Sequence, residues 1–280
     1  MRIPFSCHPV NRIFSLAAAA VSLTVLSCSA DKDDDKKAEA KGEAIFNGTD
    51  LEGWDGDAAI WKVEDGVIVG TTSDEAPLEY NRFLIFEGEP VEDFVLTVEI
   101  KLTGDNNSGI QYRSKRNDDL GDHVVTGYQC DMHAAEWANG MLYDEKERGI
   151  LAKRGQKVVI TEEGKAKIVG KPEGGSDQLF DPGEWHTYTV TARGNHLVHA
   201  IDGVTTVEVY DHDVAERDLK GTIAFQVHRG PAMKVEIRKV LLERLEPSGV
   251  VLPAATPVPA DAADVNPPKK KAKGKGKAKS

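Results

Sequence analysis

HTYTVTAR-GN-HLVHAI-DG-VTTVEVY, residues 186–210, decides the fold class. Three runs of strand length are separated by the pairs Gly194-Asn195 and Asp202-Gly203, which are two-residue turn signals. The same grammar recurs on both sides. Trp61 and Val63 lie ahead of Asp65-Gly66, and residues 67–69 follow it. FVLTVEIKL, residues 94–102, alternates apolar and polar side chains. Residues 157–160 and 165–169 flank a Glu-Glu-Gly turn, and 222–228 and 233–242 form two final runs. No long stretch carries helical periodicity. Many short strands with regular turn signals predict an all-β sandwich or jelly roll between residues 43 and 246. About 200 residues suffice for one such core.

The ends of the chain predict its compartment. The apolar run at 13–26 follows Arg2 and Arg12 and ends in Ser27-Cys28. About 14 residues are too few for a mature bilayer span but suit a signal peptide. A small residue before cysteine is similar to the lipobox of bacterial lipoproteins. Residues 1–27 are therefore expected to be removed, with Cys28 as the lipidation site. An ordinary secretory signal with an incidental cysteine is the alternative. The expected location is outside the cytoplasm, lipid-anchored to the bacterial envelope in the periplasm or at the surface. Cys7 would leave with the signal, so only Cys130 remains and the mature domain has no internal disulfide.

Residues 28–42, with the run DKDDDKKAEAKG, are expected to form a charged, disordered tether. Residues 247–280 are rich in Pro and Ala and end in seven lysines between 269 and 279. They are expected to be a disordered tail that contributes no core. Such a run is a solvated tail or a contact for anionic surface polymer or lipid. The whole chain carries a net charge of −11, and the central domain is more acidic still without its basic ends. A nucleic-acid partner is not expected of an exported acidic domain.

Three strands hold the candidate site. Alternate side chains of a strand face opposite ways. Ile110 and Tyr112 oppose Gln111 and Arg113. Tyr128, Cys130 and Met132 oppose Gln129, Asp131 and His133. Ile223, Phe225 and Val227 oppose Gln226 and His228. Each strand has an apolar face for the core and a face of long polar groups. If the strands share one sheet, the polar set pools into a surface that can bind hydroxyls, polarise a carbonyl and move protons. Trp137 and Tyr143 can stack on a sugar ring. Asp131, His133 and His228 are suited to a divalent metal, although no HxH or HExxH spacing accompanies them. The Glu-x-Asp-x-x-Glu pattern of retaining glucanases is absent, and Asp131 and Glu136 are the nearest carboxylate pair.

The motifs also carry a family resemblance. Phe46-Asn47-Gly48-Thr49-Asp50-Leu51 with Gly53-Trp54, Trp61 and Val63 with Asp65-Gly66, and Asn107-Ser108-Gly109-Ile110 with Tyr112-Arg113 are part of it. Gly127-Tyr128-Gln129 with Asp131, Gly140 with Leu142-Tyr143, Gly183-Glu184-Trp185, and Gly221 through Ile223 and Gln226 to His228 complete it. Together they resemble the 3-keto-disaccharide hydrolase family, also described as 3-keto-glucoside-1,2-lyase/hydratase domains. The resemblance implies a concanavalin A-like jelly roll of antiparallel sheets. It also implies an enzyme that acts on glycosides whose C3 hydroxyl has been oxidised to a ketone. Such a ketone acidifies the C2 proton, so a base can form an enediolate, the C1 substituent can leave, and water can add.

On this reading Asp131 or His228 is the base or a metal ligand, and Arg113 stabilises the enediolate. Gln111, Gln129, Gln226, His133 and Tyr143 contact the sugar. Arg113, Asp131 and His228 are expected to converge in one cleft. The stretch YDEKERGILAK, residues 143–153, reads as a subgroup feature acting on substrate choice. A non-catalytic carbohydrate-binding module on the same scaffold is the alternative.

Overall fold

The computed structural model of the protein describes residues 41–267. The signal-like run, Cys28, residues 28–40 of the charged stretch and the lysines beyond 268 lie outside the described residues.

Among the described residues, seventeen strands follow one another. They are β1 (Glu43–Ala44), β2 (Trp54–Asp55), β3 (Trp61–Glu64), β4 (Val67–Thr71), β5 (Arg82–Phe86) and β6 (Phe94–Thr103). Next come β7 (Asn107–Arg116), β8 (Val125–His133), β9 (Leu142–Glu145), β10 (Gly149–Ala152), β11 (Gln156–Ile160) and β12 (Ala166–Gly170). The last are β13 (His186–Arg193), β14 (His196–Ile201), β15 (Val204–Asp211), β16 (Thr222–Val227) and β17 (Lys234–Arg244). One sheet of ten strands runs β12-β11-β15-β14-β13-β6-β17-β4-β3, with β1 added on β17. The other has seven, in the order β10-β9-β8-β7-β16-β5-β2. All pairings between these strands are antiparallel except β11 with β15. Two such sheets packed face to face make a concanavalin A-like jelly roll.

The predicted turns close as their residues require. Asp65-Gly66 and Asp202-Gly203 all have positive φ, between 49° and 81°, the conformation of a type I′ hairpin. The core lies between the sheets. Leu96, Val98 and Ile100 of β6 face it from one side. Ile110, Tyr112, Tyr128, Cys130, Met132, Ile223, Phe225 and Val227 belong to the same core from the other. These eight are the apolar faces predicted for the three site strands. The polar alternates consequently project from the outer face of the seven-stranded sheet.

Arg113 breaks this pattern, which corrects the expectation for its side chain. β7 carries one extra residue between its pairings Gln111–Gln129 and Lys115–Thr126. The same bulge appears against β16, where Gln111 pairs with Ala224 and Ser114 with Thr222. Arg113 sits in the bulge at φ 49°. A bulge re-aims the following side chain, and Arg113 turns inward. Its Nε donates to the Glu92 carbonyl at 2.7 Å, Nη1 to the Gly194 carbonyl at 2.6 Å, and Nη2 to Asp93 at 3.1 Å. The side chain is fully buried. It ties together the start of β6, the β13–β14 turn and the segment at Asp218.

The C-terminal expectation is also corrected for the part described. Residues 248–266 run along the domain. Ser248 donates both N–H and Oγ–H to Asp93, at 2.7 and 2.6 Å. The Val251 N–H donates to Asn195 at 2.7 Å. Lys167 pairs with Asp264 at 2.7 Å, and the Val265 side chain is 2% exposed within the main core. Composition alone marks this stretch as unable to fold by itself. It is ordered because the domain offers polar partners and one apolar socket. The Gly194 turn also has no room for a side chain, since a Cβ there would strike the Gly249 carbonyl. Burying one valine contributes about 1.5 kcal/mol or more. Ending the chain at Glu246 is therefore expected to lower the melting temperature by several degrees, measured by differential scanning calorimetry.

Candidate functional site

Strand register assembles the site. On the outer face of the seven-stranded sheet, β8 presents Gln129, Asp131 and His133. β7 sets Gln111 beside Gln129, Gly109 beside Asp131 and Asn107 beside His133. β9 sets Tyr143 beside Gln129. Gln226 comes from β16, and His228 follows that strand directly. Part of this face is filled by Phe83, Ile85, Val125 and Ala224. Beside them lies a cavity of about 350 Å³. That volume suits a small sugar.

Gln129, Asp131, His133, Trp137, Tyr143, Gln226 and His228 all line the cavity. Six of the eight predicted site residues are therefore brought together. Gln111 lies one layer behind, fully buried, with its amide 2.9 Å from that of Gln129. Arg113 is the exception, for the reason given above. The convergence expected of Arg113, Asp131 and His228 thus holds only for Asp131 and His228. Glycine at 109 is required by this packing, because a Cβ there would lie 2.4 Å from the Gln129 side chain.

The cavity also contains groups that strand parity did not identify. Asn81, Asn107, Glu145, Lys146 and Arg229 line it. Glu145 and Lys146 belong to the stretch read as a subgroup feature. That stretch forms the β9–β10 hairpin and supplies one side of the site. Glu145 accepts from Asn81 at 3.2 Å, and Gln226 donates to it at 3.5 Å. The carboxylate that shares the cavity with Asp131 is therefore Glu145. Glu136 sits instead in the one-turn helix Glu136–Ala138.

Each histidine is held in a defined tautomer. The Ala135 N–H donates to His133 Nδ1 at 2.8 Å. The neutral ring then carries its proton on Nε2. The His133 backbone N–H is fixed in turn by Asn139, at 2.6 Å. His228 is the reverse. Its Nδ1 faces the Arg229 carbonyl, which can only accept, so Nδ1 carries the proton and Nε2 keeps a lone pair. Asn106 braces this loop by donating to the carbonyls of His228 and Pro231. Burial lowers the pKa of both rings, so both are neutral at pH 7.

Asp131 moves the other way. Burial lifts its carboxyl to about 7, a Gln129 amide that turns its N–H to the carboxylate pulls the other way, and the charge of Glu145 adds to the lift. Glu145 is itself raised, chiefly by burial. Two acceptors, Asn107 Oδ1 and Gln226 Oε1, are buried without a hydrogen-bond partner. Buried acceptors are rarely left unpaired, and hydroxyl groups are donors of the kind such acceptors take. Trp137, 59% exposed, stands at the rim 6.5 Å from the His133 ring.

The fit to a metal is poor. Among the described residues, no group of three or more His, Cys, Asp or Glu side chains is placed to hold one ion. Asp131, His133 and His228 share the cavity but do not form a ready-made divalent site.

A family model described as the 3-keto-alpha-glucoside-1,2-lyase-like domain matches residues 41–243. The chain belongs to this family. A search of curated proteins finds no match. Among solved structures, the chain resembles a protein of Parabacteroides distasonis described as a candidate glycosyl hydrolase. Identity is 16% over 74% of this chain and 100% of that one, with a TM-score of 0.51. A second such protein from the same organism is 23% identical over 72% of this chain and 93% of its own, with a TM-score of 0.49. The carbohydrate-binding module CBM66 of Bacillus subtilis is 14% identical over 68% and 95%, with a TM-score of 0.46. Family membership makes the chain a carbohydrate-active or carbohydrate-binding jelly roll.

Proposed function

We propose that the domain cleaves 3-keto-glycosides by elimination and hydration. One observation carries the proposal: a neutral imidazole with a free lone pair shares a small cavity with a buried carboxyl group whose pKa burial lifts to about 7. Such a pair can take one proton and give another at the same pH. His228 Nε2 removes the proton from C2 of the sugar. The electron pair moves toward the C3 carbonyl and forms an enediolate. Lys146 and Arg229 are the cations that line the cavity, and they take over the stabilising role first assigned to Arg113. The enediolate then re-forms the C3 carbonyl, and its C2=C3 electron pair makes a C1=C2 bond as the C1–O bond breaks. Asp131 gives its proton to the departing oxygen. Water adds back, with hydroxyl to C1 and a proton to C2, so the net change is hydrolysis. Asn107 Oδ1 and Gln226 Oε1 accept from sugar hydroxyls, and Trp137 offers a face to the leaving ring.

Export and anchoring through Cys28 belong to the same proposal, supported by the signal-like run before that residue. The reaction is tested by incubating residues 41–280 with a 3-keto-glucoside and with its unoxidised parent. Turnover of the oxidised compound alone is expected. Equal hydrolysis of both contradicts the keto mechanism. Binding of both without turnover makes the domain a sugar-binding module.

A further inference from the structure

A row of buried amides runs from the sheet backbone to Asp131, and its polarity can be read from its far end. The Gln111 side chain is completely buried. One end of its amide lies 3.0 Å from the Tyr128 carbonyl and 3.3 Å from the Gly127 carbonyl, and also meets Ser114 Oγ at 2.7 Å. Backbone carbonyls only accept. The end that faces two of them must therefore be the NH2 group. The Gln111 oxygen then points the other way, to the Gln129 amide at 2.9 Å. An oxygen needs a donor there, so Gln129 turns its own NH2 toward Gln111. That leaves the Gln129 oxygen against the Asp131 carboxyl, its neighbour two residues along β8. Two oxygens in contact require a proton between them, and only Asp131 can hold it.

We infer that Gln111 is a positioning residue that, through Gln129, holds Asp131 in its protonated form at neutral pH. The inference rests on the reaction proposed above for its use: a carboxylic acid poised to protonate the leaving oxygen. It adds a device that keeps the acid loaded without a direct contact to substrate. The surroundings agree. Glu145 and Tyr143 face Asp131 from β9, His133 from β8, and His228, Lys146 and Arg229 from the loops that line the cavity. Burial and the Glu145 charge already favour the neutral acid. A Gln129 amide that accepts from Asp131 adds to them, whereas one that donates opposes them. The cations Lys146 and Arg229 act in the opposite sense.

The experiment needs no substrate. Protein with carbon-13 at the aspartate side-chain carboxyls is titrated by NMR, and Asp131→Asn identifies the resonance. Asp131 is expected to titrate above neutrality. Gln111→Leu frees Gln129 to turn its NH2 to the carboxylate, which should lower the midpoint by about one unit or more. Gln111→Met serves the same purpose if the leucine variant does not fold. An ordinary carboxylate midpoint near 4 in the wild type would overturn the inference. An unmoved midpoint in the folded Gln111 variants would overturn it equally. Because the readout is ionisation, it stands apart from the reaction: inactivity toward 3-keto-glycosides with a relay-dependent midpoint discards only the proposed chemistry.

Discussion

Arg113→Ala is expected to lower the unfolding free energy by about 3–5 kcal/mol, the cost of breaking a buried ion pair by removing one partner. The guanidinium donates to three backbone carbonyls and to Asp93. All of these acceptors would lose a donor in the interior. Asp93 would also keep its charge, since Gly194 and Ser248 still donate to it at 2.8 and 2.6 Å. Chemical denaturation monitored by tryptophan fluorescence measures the loss. The sequence alone assigns Arg113 to the enediolate and expects a folded, inactive variant. A variant with wild-type stability and no activity would return Arg113 to the site.

His228→Ala is expected to lose about 100-fold or more in rate while keeping the wild-type melting temperature. General-base catalysis typically contributes 10²- to 10⁴-fold. The side chain is only partly buried at the cavity wall, and its backbone N–H is held by the Met233 sulfur whatever the side chain is. The pH profile follows from the same geometry. A base works above its pKa, and burial lowers that of His228, so the acid limb lies below the ordinary histidine value. Asp131 works as an acid below its pKa, so the alkaline limb follows loss of its proton, from about 7 upward. Asp131→Asn should remove the alkaline limb along with most of the rate.

The fold was legible because its signals are local. Turn pairs such as Asp65-Gly66 and Asp202-Gly203 demand positive φ, and strand alternation fixes which side chains meet the core. Five of the predicted residues that line the cavity, Gln129, Asp131, His133, Gln226 and His228, followed from alternation once register had placed their strands side by side. Tyr143 was legible only as an aromatic able to stack on a sugar. Arg113 was misread because a bulge adds one residue and reverses the parity beyond it. The pairing offsets that reveal the bulge are long-range, and only the short run at 110–113 was available to local reading. Glu145 and Lys146 were not singled out because residues 143–153 were legible only as a stretch acting on substrate choice, and YDEKERG carries no alternation that assigns its charged residues one by one. Its charges are accommodated by the sheet: Arg148 pairs with Asp144 and Asp211, at 2.6 and 2.8 Å. Asn81 and Arg229 lie just outside strands, where parity makes no statement. The segment at 248–266 has a tail's composition, and its order depends on sockets that only the folded domain provides.

Proton abstraction at C2 is the central claim, and deuterium reports it most directly. A 3-keto-glucoside is treated with the protein in D2O and the released sugar is examined by NMR and mass spectrometry. The account predicts one deuterium at C2 of the newly released sugar, incorporated during turnover, with a matching loss in His228→Ala. Release of the aglycone with the C2 proton fully retained would contradict it.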